Sequence, residues 1–170
     1  MKTTTQEEAL AAVKKDGYAL GDVPEKLKGA KLCRIAVEKN GFVLRYVPEE
    51  LKNAKLCRIA VENDGMALEH VPEELKDAML CRIAVEKNGW ALRYVPKDIK
   101  DAELCRRAVK QNGFALKLVP EELKNAELCH IAVEQVSSDD FLGLRYVLRY
   151  VPEKFKAEIM ALLKQIRKKV

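Results

Sequence analysis

The chain lacks long apolar runs. No stretch of its 170 residues approaches the roughly 18 consecutive apolar residues that a membrane-spanning helix needs. The N-terminal residues carry no apolar core of the kind found in a signal peptide. We therefore expect no membrane span and, by default, a cytoplasmic location, although leaderless secretion into a host would leave no trace in such a sequence.

Residues that commonly perform chemistry are also scarce. The chain has only two histidines, His70 and His130, and 60 positions separate them, so we do not expect them to meet. We find no Ser or Cys nucleophile with a histidine in reach, and no glycine-rich phosphate loop. The sequence therefore predicts a protein that is not an enzyme.

The cysteines are not arranged as ligands. Metal sites need cysteine pairs two to four residues apart, whereas here every interval is 24 residues. Stacked helices lie about 8–10 Å apart, farther than the roughly 7 Å between Cα atoms that a disulfide allows. We predict no metal and no cofactor, and interpret the thiols as small apolar side chains of the core. They are Cys33, Cys57, Cys81, Cys105 and Cys129.

The composition is that of a folded, charged protein. Hydrophobic residues make up 48% of the chain and charged residues 34%, which separates it from disordered sequences. The net charge is +5, from 31 basic and 26 acidic residues. Because the two signs alternate along the chain, we interpret the charges as a solvated surface and regard nucleic acid as an unlikely partner.

A tandem repeat dominates the sequence. Three residue types recur at intervals of 24 residues, and a fixed period of this length indicates a solenoid. The prolines are Pro24, Pro48, Pro72, Pro96 and Pro120; the glycines are Gly17, Gly41, Gly65, Gly89 and Gly113; the cysteines are those named above.

Each unit specifies the two ends of one helix. A favoured N-cap residue stands before each apolar segment, and Thr5 is followed by Glu8 in a capping box. The other caps are Gly29, Asn53, Asp77, Asp101 and Asn125. At the far end, Gly41 and its equivalents are predicted to turn left-handed, with the next apolar residue packing back on the helix. By that argument Trp90, which follows Gly89, should be buried.

The helix between these caps should be largely enclosed. Apolar residues of the second unit, 32–37, cover an arc of about 200° and leave a narrow polar edge. The remaining residues, from Phe42 to Lys52, should form two short helical or 3₁₀ pieces, the second beginning with Pro48 as its first residue.

The ends of the array differ from its middle. We expect an N-terminal cap helix at 1–17, five tandem repeats at 18–136, an insertion at 137–151 and a C-terminal cap helix at 152–170, all in a single repeat domain. The apolar stripe of the last helix consists of Phe155, Ile159, Leu162, Leu163, Ile166 and Val170. The predicted fold class is an all-α solenoid with capping helices at both ends.

The repeat resembles the family named Domain of Unknown Function 4116. The shared pattern is Leu-x-x-x-Ala-Val-x-x-Asn-Gly-x-Ala-Leu-x-Tyr-Val-Pro-Glu-Glu-Leu-Lys, which recurs from about Ala9 to Lys124. The resemblance implies helical tandem repeats from intracellular bacteria and protists, some of them effector-like, and implies no activity. The leucine-rich repeat variant is similar in period, but its clustered cysteines have no counterpart here.

One column of basic residues is the candidate binding site. Arg34, Arg58, Arg82 and Arg106 should align along the polar edge, with His130 at the end of the row. Two interpretations compete: a binding ladder, or surface arginines paired with Glu38, Glu62 and Glu86 four residues on. In the fourth unit Lys110 replaces that glutamate, so Arg106, Arg107 and Lys110 should form an unpaired basic spot.

Three functions remain open at this point. The first is a scaffold that binds a protein or peptide along a groove of about 50–60 Å. The second is nucleic-acid binding along the same arginines. The third is a structural assembly module, although we favour a monomer.

Overall fold

The computed structural model describes residues 5–136 and 140–168, with side chains described as far as residue 164. Its α-helices follow the repeat. They are α1 Gln6–Lys15, α2 Ala30–Lys39, α3 Ala54–Asn63, α4 Ala78–Lys87, α5 Ala102–Gln111, α6 Ala126–Glu134, α7 Phe141–Leu148 and α8 Glu153–Lys168.

Short 3₁₀ helices fill the intervals. The longer ones are Gly17–Asp22, Gly41–Tyr46, Gly65–His70, Gly89–Tyr94 and Gly113–Leu118. The shorter ones are Glu25–Leu27, Glu49–Leu51, Glu73–Leu75 and Glu121–Leu123. In the fourth unit, residues 97–99 form a turn instead.

The units stack in two layers. From α1 to α6, each α-helix packs against the next one along the chain, and each of the longer 3₁₀ helices packs against the next longer one. Each α-helix also packs against the 3₁₀ helices of its own and the preceding unit, so the two layers share one core. The prediction of an all-α solenoid is confirmed, and the described residues contain no strand.

The N-terminal caps form as predicted. Thr5 accepts a hydrogen bond from the Glu8 amide at 3.2 Å, and Glu8 accepts one from the Thr5 amide, which completes the capping box. Asn53 accepts from the Leu56 amide at 3.0 Å. Asp77, Asp101 and Asn125 cap their helices in the same way.

The predicted left-handed glycines are wrong. No described glycine has a positive φ. Asn40 ends α2 in an extended conformation, with φ −151° and ψ 115°, and its side chain accepts from the Phe42 amide at 2.9 Å. Gly41 is therefore the first residue of a 3₁₀ helix that Asn40 caps, not a left-handed helix terminus.

The glycine is needed for close approach instead. A Cβ added to Gly41 would overlap the carbonyl oxygen of Ala60 in α3, and one added to Gly89 would lie 2.5 Å from the carbonyl oxygen of Ala108 in α5. Real Cβ atoms essentially never come that close. The recurrent glycine thus lets each unit contact the backbone of the next helix.

The proline prediction needs a smaller correction. Pro48 has φ −53° and ψ 141°, so it is extended and precedes the short 3₁₀ helix, which begins at Glu49. Val47 ends the longer 3₁₀ helix and is buried in the core. Valine is a poor cap for the short segment that follows, and its burial explains why valine nevertheless recurs at this position.

The core is a continuous row of equivalent residues. In α2, Leu32, Cys33, Ala36 and Val37 are buried, and the same four positions are buried in α3 through α6. Ile35 is partly buried. The prediction of a helix enclosed except along one edge is confirmed.

The C-terminal part departs from the repeat. Asp140 caps α7 by accepting from the Gly143 amide at 2.8 Å, and both α7 and α8 pack on α6. Ile159 and Leu163 are buried, whereas Phe155 and Leu162 are partly buried. Residues 137–139 of the expected insertion, and the side chains of Ile166 and Val170, lie outside the described residues. Within the described part, no helix is both long and apolar enough to span a bilayer.

Candidate interaction surfaces

The arginine column lies on the exposed edge of the α-helical layer, and we call this surface the helix edge. It consists of Arg34, Arg58, Arg82, Arg106 and His130, all at equivalent positions of successive helices. The four arginines are exposed and His130 is partly buried. The alignment that the sequence predicts is therefore present.

Two arginines are neutralised within their own helices. Arg34 Nε lies 2.7 Å from a carboxylate oxygen of Glu38, and Arg58 Nε lies 2.9 Å from one of Glu62. Such exposed pairs contribute little stability, but they compensate the charge that a ligand would meet. At these positions the interpretation as surface ion pairs holds.

The predicted unpaired spot in the fourth unit is wrong for both arginines. Arg106 reaches Glu127 of the next helix at 2.9 Å. Arg107 contacts Glu103 at 2.9 Å and, across to α4, Glu86 at 2.8 Å. The expectation failed because it considered only the residue four positions after each arginine. Arg107 pairs with Glu103, four positions before it, and stacking brings Glu86 and Glu127 of neighbouring helices into reach.

Two basic residues near the centre of the helix edge, Arg82 and Lys110, lack a carboxylate partner within the described ranges. Because Arg107 contacts Glu86, that carboxylate is not paired with Arg82, its neighbour on α4. At the end of the row, His130 Nε2 lies 3.2 Å from Glu158 Oε1 in α8.

Shallow apolar dents separate successive α-helices beside this column. The dent between α3 and α4 has a volume of about 130 Å³ and is lined by Arg58, Leu75, Met79 and Ile83, among others. Equivalent dents of about 190 and 310 Å³ lie between α2 and α3 and between α5 and α6. Met79 is 61% exposed. The helix edge thus alternates basic and apolar features along the solenoid axis.

A lysine column is buried in a way that the sequence analysis did not anticipate. The Lys52 side chain is only 5% exposed, and its Nζ lies 2.5 Å from Glu49. Lys28 and Lys76 pair similarly with Glu25 and Glu73, and Lys124 with Glu121. The signal was available: in these four units a glutamate stands three residues before the lysine.

Lys100 is the exception in this column. Lys97 occupies the position of the pairing glutamate, and no ion pair forms at Lys100 within the described part of the chain. Burial lowers the pKa of Lys100; Cys105 raises it, and the charge of Lys97 lowers it further. The fourth unit therefore contains a partly buried amine without its usual carboxylate.

The cysteines lie in the core, facing these lysines. All five are free and buried. Burial raises the pKa of each thiol to about 11, opposed by the nearby lysine, which is Lys52 for Cys57. The thiols are accordingly protonated near neutral pH and poor nucleophiles.

A second surface lies on the 3₁₀ layer, and we call it the aromatic edge. It contains one column at the second position of each longer 3₁₀ helix and another at the last position of the four later ones. The first is Tyr18, Phe42, Met66, Trp90 and Phe114; the second is Tyr46, His70, Tyr94 and Leu118, with Tyr146 and Tyr150 at the C-terminal end. Tyr18 is 44% exposed and the others are partly buried.

The sequence analysis missed this surface because it assigned the first column to the helix interior. The expected burial of Trp90 is only partial. The rings contact across units instead: Phe42 meets His70 at a centroid distance of 5.0 Å, and Phe114 meets Tyr146 at 5.7 Å. Burial lowers the pKa of His70, while Glu69 raises it. The 24-residue recurrence of aromatic residues was the signal that could have identified the surface.

The comparisons with known proteins bear on the repeat alone. The model of the family described as Domain of unknown function (DUF4116) matches residues 7–52, 31–76, 53–100 and 80–124. No curated protein and no solved structure matches the chain. The matched stretches together cover more than half of the 170 residues and follow the solenoid from α1 to the end of the Glu121–Leu123 segment. The chain therefore belongs to the DUF4116 family of tandem helical repeats.

Proposed function

We propose that the protein is a non-enzymatic scaffold that binds a protein or peptide along the helix edge. The observation that carries the proposal is the exposed, unpaired guanidinium of Arg82, one helical turn from the exposed side chain of Met79. An arginine without a partner keeps its full capacity to bind a carboxylate.

The surroundings of Arg82 favour an occupant that combines acidic and apolar groups. The dent lined by Leu75, Met79 and Ile83 holds an apolar side chain, and its own charged lining residues are Arg58 and Asp77. Arg82, one turn after Met79 in α4, binds an acidic side chain next to the dent. Interfaces gain most of their affinity from a few such anchors near their centre. The partner we propose is therefore a segment with an acidic side chain next to an aliphatic or aromatic one.

The same geometry argues against a phosphate backbone as the ligand. Carboxylates flank the column at Glu38, Glu62 and Glu127, each in contact with an arginine of the row. A nucleic acid would meet these negative charges at intervals of one unit, and its affinity depends on uncompensated cations.

A capture experiment with charge-reversal variants tests the proposal. The protein is immobilised and exposed to cell lysate, and the bound proteins are identified for the parent, for Arg82→Glu and for Met79→Ala. Lys26→Glu, an exposed site in the Glu25–Leu27 segment, is the control with the same change in net charge. We expect the same specific partners to be lost in Arg82→Glu and weakened in Met79→Ala, but retained in Lys26→Glu.

Two results would refute the helix edge as the binding site. In the first, Arg82→Glu retains the whole set of partners that the parent binds. In the second, the partners lost from Arg82→Glu are lost equally from Lys26→Glu, so that only net charge matters.

A further inference from the structure

The aromatic edge carries basic residues that are not compensated by carboxylates. Between its two aromatic columns runs a row of exposed side chains: Arg45, Glu69, Arg93, Lys117 and Arg149. Within the described ranges, Arg45, Arg93 and Lys117 form no ion pair with a carboxylate. This distinguishes the row from the helix edge, where most of the arginines are paired.

Two cations of this row, Arg45 and Lys117, lie near aromatic rings. The guanidinium carbon of Arg45 lies 5.0 Å from the ring centroid of Phe42 and 5.5 Å from that of Tyr46. Lys117 Nζ lies 6.0 Å from the ring of Tyr146 and 5.9 Å from that of Tyr150. Such contacts fix the orientation of a long side chain, and an arginine held in this way keeps several hydrogen-bond donors for a ligand.

Glu69, the acidic residue in this row, is already engaged. Burial raises the pKa of Tyr94, and so does the hydrogen bond between Tyr94 and Glu69. A carboxylate oxygen of Glu69 also lies 3.9 Å from His70 Nε2. Glu69 keeps its negative charge, but it is one carboxylate among four cations, so the net charge of the row stays positive.

Composition and charge together identify the kind of ligand. Tyr, Trp and Arg are the residues enriched among those that dominate binding energy at protein interfaces. Here they occur in alternate units, as Arg45 and Tyr46 in the second unit and as Trp90, Arg93 and Tyr94 in the fourth. The third unit has Met66, Glu69 and His70 at these positions. We propose that the aromatic edge binds an acidic polypeptide segment whose carboxylates meet Arg45, Arg93 and Lys117 and whose apolar side chains lie on the adjoining rings.

A polypeptide is favoured over a nucleic acid by the geometry of the rings. Phe42 and His70 meet at an interplanar angle of 66°, and Phe114 and Tyr146 at 71°. These rings are partly buried and pack edge-to-face on each other, whereas nucleobases stack on open ring faces. This inference does not rest on the helix edge, which belongs to the other layer.

The chain provides its own reporter for this surface. Trp90 is the only tryptophan and lies on the aromatic edge, so its fluorescence responds to an occupant there. The probe is a synthetic peptide of about twelve residues built from Glu and Leu, which spans about 40 Å when extended. That length matches four stacked units at about 10 Å each. A peptide with Lys in place of Glu and a thymidine oligonucleotide are the comparison probes.

The expected result is a saturable change in Trp90 emission with the acidic peptide and none with the basic one. Arg93→Glu should weaken binding at least about tenfold, because it reverses a charge that contacts the ligand. Lys117→Glu, farther from the reporter, should weaken it similarly. Lys26→Glu makes the same change in net charge in the Glu25–Leu27 segment, outside the aromatic edge, and should retain the affinity of the parent.

Three results would overturn the proposal. No change in Trp90 emission with the acidic peptide would exclude the surface as its site. Equal loss of binding in Arg93→Glu and Lys26→Glu would reduce the effect to net charge. Tighter binding of the oligonucleotide, with a steep dependence on salt, would assign the surface to nucleic acid instead. Because the capture experiment tests Arg82→Glu and not Arg93→Glu, failure here leaves the helix-edge proposal standing.

Discussion

Gly41 lies so close to the carbonyl oxygen of Ala60 in the next unit that the two backbones leave no room for a methyl group. The contact recurs between Gly65 and Ala84 and between Gly89 and Ala108. It sets the distance between the 3₁₀ layer of one unit and the α-helix of the following one. The stacking of this solenoid therefore depends on a position that contributes no side chain.

Gly41→Ala should destabilise the fold by about 1–3 kcal/mol, because the added methyl group meets backbone atoms that cannot rotate away. Thermal or urea unfolding followed by circular dichroism measures the change. Gly29→Asn is the control, since Gly29 has open space around its Cβ position and asparagine is the cap used at Asn53. A Gly41→Ala variant as stable as the parent would show that neighbouring units can separate without cost.

Lys97→Glu should stabilise the protein by restoring the ion pair that the other units form with their buried lysine. The expected gain is about 0.5–1 kcal/mol, the upper range for a partly exposed pair. It should appear as a rise of about 1–4 °C in the unfolding temperature of a chain of this size. Two effects contribute to this gain: the repulsion between Lys97 and Lys100 is removed, and an ion pair is formed. Lys97→Gln separates them, because it removes the repulsion without supplying a carboxylate. Equal gains in both variants would rule out the ion pair as the cause.

The buried thiols should make stability fall at high pH. Burial raises the pKa of each cysteine from 9.0 to about 11, so between these values the unfolded chain loses protons that the folded chain retains. The stabilisation is complete below about pH 9 and is lost as pH rises through the folded-state value. Unfolding in urea at several pH values measures this slope.

The same thiols should also resist modification while the protein is folded. At about pH 8, a thiol-specific chromogenic reagent should react slowly with the native protein and rapidly with the urea-unfolded chain, in which all five cysteines are free. Rapid reaction of the native protein would contradict the burial of the cysteine column.

The parent protein should lose stability as the pH falls into the mildly acidic range, and His70→Tyr should abolish this loss. The folded-state pKa of His70 lies below 6.5 because burial disfavours the imidazolium; Arg45 and Lys52 lower it as well, whereas Glu69 and Glu49 raise it. The stabilisation is therefore present above pH 6.5 and is lost as pH falls through the lowered value.

Tyrosine is the residue found at this position in the units of Tyr46 and Tyr94, so the fold should accept it. Comparing the unfolding free energies of parent and variant between about pH 7 and pH 5.5 isolates the histidine, because most carboxylates titrate at lower pH. Parallel curves would mean that His70 is protonated equally in the folded and unfolded states.

Local features of the fold could be predicted well. The caps at Thr5 and Asn53 and the apolar arc from Leu32 to Val37 depend on residues within a few positions of each other. So do the Arg34–Glu38 and Arg58–Glu62 pairs. Helix geometry places residues three and four apart on one face, so spacing alone specifies these contacts.

The candidate sites could be predicted only in part. The helix-edge column could be predicted from the period. Which of its arginines are paired could not, since Arg107 binds Glu86 across a helix–helix contact and leaves Arg82 without that partner. The aromatic edge was missed because Trp90 could equally have packed back on its own helix. A large side chain can pack on its own helix or on the next unit, depending on how closely the next unit approaches. The sequence of a single unit does not specify that distance.

The sequence by itself determined the repeat, its period, the ends of its helices and the residues of its core, because these are set by hydrogen bonds and apolar spacing within one unit. Only the tertiary structure decided that Gly41 serves close approach and not a left-handed turn, that Lys52 is buried against Glu49, and that Arg82 is left without a partner. The physical reason is common to all three. The close approach at Gly41, the enclosure of Lys52 and the contact that holds Glu86 on Arg107 each depend on a neighbouring unit. The spacing of about 8–10 Å between stacked helices is set by packing and not by any single unit.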